Sequence, residues 1–175
     1  GVVLLGIATL NVTGLTGAVM QMVAHGLTAA TLFLIVGLLY QRTHSRDLAD
    51  YGCLLGQAPR FAFFTAFALL AAIGLPGSAG FIAELHALVG GFARWGGWVA
   101  IVCLGMLIGA AYGLRVIGRL CLRGLPAQHI ADMTRTETVA AAILGLGIVA
   151  LGVWPAPLLD LVAGSVDRVG RLFAS

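Results

Sequence analysis

Long apolar runs, each about the length of a membrane-spanning helix, alternate with short polar segments along this chain. A helix needs about 20 apolar residues to cross a hydrocarbon core of about 30 Å. We place complete crossings at residues 15–40, 95–122 and 139–154. Strict alternation of apolar and polar residues is absent, which argues against a β-barrel. The sequence therefore predicts an all-α integral membrane protein, a bundle of several spans in contact with the lipid bilayer.

The charge of the chain supports this prediction. Only 10% of the residues are charged, against about 25% in an average soluble domain. The net charge of +3 would suggest a nucleic-acid partner in a soluble protein, but here the arginines flank apolar spans, so we expect none. More arginines lie on one side of the spans than on the other, which predicts that this side is cytoplasmic and that the C-terminus lies outside. That side carries Arg42, Arg46, Arg60, Arg119, Arg123 and Arg135, and the other carries Arg94, Arg168 and Arg171.

One predicted crossing is interrupted near its middle. Residues 61–92 have the length of a single span, but the segment 74–80 (GLPGSAG) cannot continue a helix. The helix-breaking residues in it are Gly74, Pro76, Gly77 and Gly80. The sequence therefore predicts a discontinuous transmembrane helix, in which backbone groups left without helical partners face protein or a hydrated cavity.

The two ends of the chain differ from the spans. Residues 1–10 are apolar but reach only about 15 Å as a helix, so we expect the cut end of a membrane helix and a chain that is the C-terminal part of something longer. Residues 158–173 place two aspartates and two arginines among leucines and valines. This pattern is typical of a helix lying at the membrane interface. The whole chain, 1–175, is interpreted as one membrane domain.

Glu84 is the acidic residue that does not fall near a loop or a helix end. A carboxyl group at membrane depth is costly and is usually retained for a function such as proton transfer. Glu84 lies four residues after Gly80, where the positive end of the second half-helix favours the charged form while loss of water favours the neutral form. Glu84 is thus a candidate site of proton exchange. The alternative is a neutral acid that only joins helices by hydrogen bonds.

Three further residues are weaker candidates. His25 lies about 15 Å into its span and can exchange protons near neutral pH, although a packing role remains open. His86 follows Glu84 by two residues and so points to another face. Arg115 lies about two turns inside its span, where its side chain either extends to the interface or contacts a pathway. The three cysteines have no metal-binding or cluster-binding spacing, so we expect no metal or cofactor on this chain.

Three motifs occur in a fixed order: residues 20–27 (MQMVAHGL), 38–47 (LLYQRTHSRD) and 74–84 (GLPGSAGFIAE). Together they resemble the subunit M family of antiporter-like subunits in respiratory complex I, the proton-translocating NADH-quinone oxidoreductase. The resemblance covers nearly all of the chain but only the C-terminal third or so of a full subunit. It implies an antiporter-like subunit fold, present in part, in a bacterial inner membrane.

The resemblance also implies roles for residues and partners. Glu84 matches a terminal ionisable residue of the proton channel, which is glutamate in subunit M and lysine in subunits L and N. His25 matches a histidine on the central hydrophilic axis. Neighbouring subunits L and N are the implied partners, and NADH, FMN, iron–sulfur clusters and quinone would belong to partner subunits. The family's essential glutamate and lysines would lie upstream of Gly1.

The chain departs from the family pattern at Ala83, Leu85 and Arg115. Two alternatives stay open at this stage. In the first alternative, the chain is a subunit of a multi-subunit sodium/proton antiporter or of a membrane-bound hydrogenase with the same fold. In the second, it is a scaffold subunit that transports nothing, and Glu84 has a structural role.

Overall fold

The computed structural model describes residues 1–122 and 129–173. Within these ranges the chain is almost entirely helical and contains no strand. Short 3₁₀ turns at Leu48–Asp50 and Gly96–Val99, and a π-helical turn at Gly118–Leu122, connect or extend the main helices. The main helices are α1 (Val2–Ala8), α2 (Val12–Thr43), α3 (Leu54–Gln57), α4 (Pro59–Ala72), α5 (Ala79–Trp95), α6 (Ala100–Ile117), α7 (Arg135–Val153) and α8 (Ala156–Arg171).

Three helical stretches in the described ranges are long and apolar enough to cross a membrane: Val12–Thr43, Ala79–Leu122 and Arg135–Val153. The shorter apolar helix α4 precedes α5, and the two are separated by the predicted break. The predicted fold class, an all-helical multi-span bundle with one discontinuous helix, is confirmed. The second half-helix runs to Trp95 rather than ending at residue 92, because Gly96, with φ of +60°, is the first residue that cannot continue it.

Local sequence sets the ends of the longest helices. The Asn11 side chain accepts a hydrogen bond from the Gly14 amide at 2.8 Å and so begins α2. His44, in the left-handed conformation with φ of +53°, ends that helix 32 residues later. At the start of α7, Thr134 and Glu137 form a reciprocal capping box. These caps satisfy amides that would otherwise lack partners at the helix termini.

Helix α2 is the axis of the bundle, and it contacts α1, α4, α5, α7 and α8. Its closest partner is α5, which runs antiparallel to it. A methyl group at Gly17 would lie 2.5 Å from the Ala87 nitrogen, and one at Gly90 would lie 2.5 Å from the Gly14 nitrogen. Because neither position has room for a side chain, glycine allows the two backbones to meet directly.

A compact apolar core closes one end of the bundle. It is built around Phe61 and Leu54, which are fully buried, and includes Cys121 of the π-helical turn. Above this core the Arg42 guanidinium donates a hydrogen bond to Glu137 Oε2 at 2.7 Å. The Asp132 carboxylate accepts from the first amides of α4, including that of Phe61 at 3.2 Å. These contacts join the end of α2 to the starts of α4 and α7.

The arginines separate into two groups at opposite ends of the described bundle. Arg42 and Arg60 bond to residues at the start of α7, and this defines one end. Arg94 and Arg171 line a common groove at the other end. Helix α8 crosses the bundle there, with Gly170 packed against Val12. Arg123, which the sequence places with the first group, lies outside the described residues.

Helix α6 is the least covered long helix. It packs on α4, where Gly113 meets the Ile73 side chain, but most of its apolar side chains are exposed. Gly105 and Gly109, which share a face of α6, have nothing within 4 Å of a Cβ added to them. Small residues at this spacing suit close helix packing. Within the described chain that face has no partner.

Candidate functional site

The break between α4 and α5 is built from backbone hydrogen bonds and two left-handed glycines. The Gly74 amide donates to Ala71 O at 3.2 Å and the Leu75 amide donates to Leu70 O at 3.0 Å. This pair of bonds is a Schellman motif, which requires a left-handed residue just after the helix. Gly74 supplies it with φ of +76°. The predicted helix breaker therefore acts as a C-terminal cap that satisfies two of the orphaned carbonyls.

The second half-helix begins with its own cap. The Ser78 side chain accepts a hydrogen bond from the Phe81 amide at 3.4 Å, and Gly77 before it has φ of +92°. Helix α7 covers this turn, because Gly152 packs so closely on the backbone of Gly77 and Ser78 that a methyl group there would overlap it. The Ser78 end of the break is thus covered by protein, whereas Leu75, Pro76 and Gly77 are exposed within the described chain. Irregular backbone survives at membrane depth where protein or a hydrated cavity covers it.

Glu84 lies in the second turn of α5, beside this break. Its side chain is half-buried and its Oε2 atom packs against Gly74, in the space that a Cβ on Gly74 would occupy. The carboxyl group is therefore folded back toward the end of α4, near the first turn of α5. The amides at the start of that helix favour negative charge. The arrangement suits a carboxyl group that can hold or release a proton.

His25 lies on α2 and is exposed within the described chain. It belongs to the same face as two buried residues, Ala18, which is seven residues before it, and Thr28, which is three residues after it. His25 thus lies close in angle to the buried face of α2, although its own side chain is exposed within the described chain. The structure places His25 and Glu84 on neighbouring antiparallel helices.

His86 and Arg115 lie elsewhere. His86 Nδ1 is 2.8 Å from Ile82 O, and since a carbonyl only accepts, Nδ1 carries the hydrogen in this contact. The ring lines a groove of about 600 Å³ together with Thr16 of α2 and Asp160 of α8. Arg115 is exposed in the last turn of α6. Its position fits a side chain that extends to the interface.

Two side chains that the sequence analysis did not single out have a buried polar atom without a hydrogen-bond partner among the described residues. Gln21 Oε1 on α2 and Thr65 Oγ1 on α4 are buried without a hydrogen-bond partner. Buried polar atoms are nearly always paired with protein or ordered water. The signal for Gln21 was present in the sequence, because it precedes His25 by one helical turn. Only the burial of its Oε1 atom distinguishes Gln21, and that burial depends on how the helices pack.

The described residues contain no cluster of three or more histidine, cysteine, aspartate or glutamate side chains that could hold a metal ion. The cysteines are unpaired thiols. Cys121 is buried and its Sγ lies 3.7 Å from Ala62 O, whereas Cys53 and Cys103 are half-buried.

These features define a class of protein: a multi-span helical membrane protein with one helix interrupted between α4 and α5 and a carboxyl group at the interruption. The sequence matches the family described as NADH:quinone oxidoreductase/Mrp antiporter, transmembrane, over residues 1–110. The chain belongs to this family.

Comparison with individual proteins supports the same family. The NADH-quinone oxidoreductase subunit M of Rhodobacter capsulatus is 38% identical over 173 residues, which are 97% of this chain and 34% of the relative. The resemblance to subunit M inferred from the three motifs is thereby confirmed. The chain spans about a third of the length of the curated relatives it matches.

Two solved structures have the same fold. A chain of respiratory complex I from Thermus thermophilus with bound NADH superposes with a TM-score of 0.92 at 26% identity, covering 100% of this chain and 37% of that chain. A chain of the Mrp complex from Dietzia sp. DQ12-45-1b gives a TM-score of 0.81 at 19% identity, covering 96% of this chain and 40% of that chain. The second likeness shows the fold alone.

Proposed function

We propose that this chain is part of a proton-translocating membrane subunit of NADH-quinone oxidoreductase, and that Glu84 takes up and releases the translocated proton. The observation that carries the proposal is the position of the Glu84 carboxyl group, half-buried against the Gly74 cap at the break between α4 and α5. An ionisable residue at such a place is usually kept for transport. The family and the subunit M relative support the same assignment.

In the proposed mechanism the proton reaches Glu84 through waters and His25 and leaves toward the side of the membrane opposite the arginine-rich end. The start of α5 stabilises the charged carboxylate after the proton has left. The energy for the cycle would come from oxidation of NADH by quinone, with NADH, FMN, iron–sulfur clusters and quinone bound by partner subunits. It would reach this chain as an electrostatic or conformational change passed along the antiporter-like neighbours L and N.

The distribution of arginines supports an orientation. More arginines lie at the end of the bundle that holds Arg42 and Arg60 than at the end that holds Arg94 and Arg171. By the positive-inside rule the first end faces the cytoplasm. We therefore place the chain in a bacterial inner membrane with its C-terminus outside. Glu84 would then exchange protons with the outer side.

A second candidate function is a subunit of a multi-subunit sodium/proton antiporter or of a membrane-bound hydrogenase. The name of the matching family covers both NADH:quinone oxidoreductases and Mrp antiporters, and the fold is shared with the Mrp complex. The neighbouring genes distinguish the two. Genes for NADH-binding and quinone-binding subunits beside this one would support the first function, and an antiporter or hydrogenase operon would support the second.

The test of the proposed function is Glu84→Gln in the complete subunit within its membrane complex. Glutamine has nearly the same shape but cannot release a proton, so we expect NADH-driven proton transport to fall by at least about tenfold while assembly is kept. Asp167→Asn is the control, because it removes a carboxylate from an exposed ion pair. Normal proton transport in an assembled Glu84→Gln variant would mean that Glu84 is only structural.

A further inference from the structure

The pairing of α2 with α5 fixes which residues lie at the same depth. Gly14 meets Gly90, and Gly17 meets the backbone of Ala83 and Ala87. Because the helices are antiparallel, successive residues of α2 lie opposite successively earlier residues of α5, with a rise of about 1.5 Å per residue. Gln21, one turn beyond Gly17, therefore lies opposite the first turn of α5. His25 lies one turn deeper still, so that Gln21 is between the depth of Glu84 and the depth of His25.

Helix α1 shows that His25 and Glu84 lie on the same side of this helix pair. Gly6 of α1 packs on Ala18, and the Leu5 side chain of α1 packs on Gly91. His25 is seven residues after Ala18, and Glu84 is seven residues before Gly91. Seven residues make nearly two full turns, so each residue shares a face with its counterpart. The backbone positions of both candidates thus lie on the side of the pair that carries α1, and the Glu84 carboxyl group turns from there toward Gly74.

Gln21 lies between them in depth, and its side chain has a polar atom without a partner. It is on the face of α2 that continues from Gly17, one turn from His25. Its Oε1 atom is buried and has no hydrogen-bond partner among the described residues. A buried acceptor of this kind is paired with a donor in a working protein, most simply with ordered water. Water at this position would be within the interval that separates His25 from Glu84.

We propose that Gln21 is a positioning residue of the proton path: its Oε1 atom accepts a hydrogen bond from a water that links His25 to Glu84. The inference rests on the proposed function and names a component of that path. A fixed acceptor orients the water so that its remaining hydrogen and its lone pairs point along the chain of proton transfer. The amide takes no proton itself, which keeps the charge on Glu84 and His25.

The experiment compares Gln21→Met with Gln41→Met in the complete subunit within its complex. Methionine has a similar length to glutamine but accepts hydrogen bonds weakly. Gln41 makes the matched control, because it is exposed near the end of the same helix. We expect Gln21→Met to lower NADH-driven proton transport by about fivefold with unchanged assembly and unfolding temperature. Gln41→Met is expected to leave transport unchanged.

A merely structural glutamine gives different results. If Gln21→Met fails to assemble while Gln41→Met assembles, the amide is bonded to protein and the proposal is overturned. If Gln21→Met transports normally while Glu84→Gln does not, the positioning role fails and the proposed function stands. If both variants transport normally, both proposals fail. A structure of the complex that places an ordered water within about 3 Å of Gln21 Oε1 would support the proposal independently.

Discussion

The Glu84 carboxyl group fills the space that a Cβ atom on Gly74 would occupy, and Gly74 is the residue that caps the first half of the broken helix. Gly74 thus serves two purposes. Its positive φ closes the Schellman cap of α4, and its missing side chain leaves room for the carboxyl group of α5. The break and the acidic residue are therefore parts of one site, although ten positions separate them in the sequence.

Gly74→Ala should damage both parts at once. A Cβ atom would overlap the Glu84 carboxyl group and would strain a left-handed backbone by about 1–2 kcal/mol. We expect a lower unfolding temperature in detergent and reduced proton transport. Gly37→Ala is the control, because Gly37 is within α2 and has nothing within 4 Å of an added Cβ. The Gly37→Ala control should unfold at the same temperature as the unmodified protein or at a higher one. A Gly74→Ala variant that is as stable as the Gly37→Ala control would contradict the described break.

Glu137→Gln tests the ion pair that ties α2 to α7. The Arg42 and Glu137 side chains are only 18% and 21% exposed, and their contact is 2.7 Å. Glutamine keeps the capping box that Glu137 forms with Thr134, so the substitution removes mainly the charge. We expect a loss of about 1–2 kcal/mol in the free energy of unfolding.

The exposed pair Asp167–Arg171 provides the comparison for that loss. These side chains are 49% and 80% exposed at the same separation of 2.7 Å. Since exposed pairs contribute little, Asp167→Asn should cost less than about 0.5 kcal/mol. Denaturant titration of both variants measures the difference. Equal losses would show that burial does not strengthen the Arg42 contact.

Labelling of Cys53 tests the proposed orientation. This thiol is half-buried and begins α3 at the arginine-rich end of the bundle, whereas Cys121 is buried. A charged maleimide that cannot cross membranes should label Cys53 in inside-out vesicles and not in right-side-out ones. Cys53→Ser should abolish the label. Labelling confined to right-side-out vesicles would reverse the orientation and the predicted position of the C-terminus.

The sequence was sufficient to locate the break, because Gly74, Pro76 and Gly77 each oppose helix continuation through their own backbone chemistry. It was also sufficient to single out Glu84 as a candidate, because its charge stands out in an apolar run. It did not indicate that Glu84 would fold back on Gly74, since that contact depends on the turn between two half-helices. Nor did it single out Gln21, because the burial of its Oε1 atom depends on how the helices pack together.

The central claim is that Glu84 changes its protonation state during turnover, and infrared difference spectroscopy of the membrane complex measures this directly. If Glu84 exchanges protons during turnover, NADH oxidation produces a difference band of a protonated carboxyl group, and the band is missing in Glu84→Gln but present in Asp167→Asn. A difference spectrum that is unchanged in Glu84→Gln would show that this carboxyl group keeps one protonation state and does not carry the translocated proton.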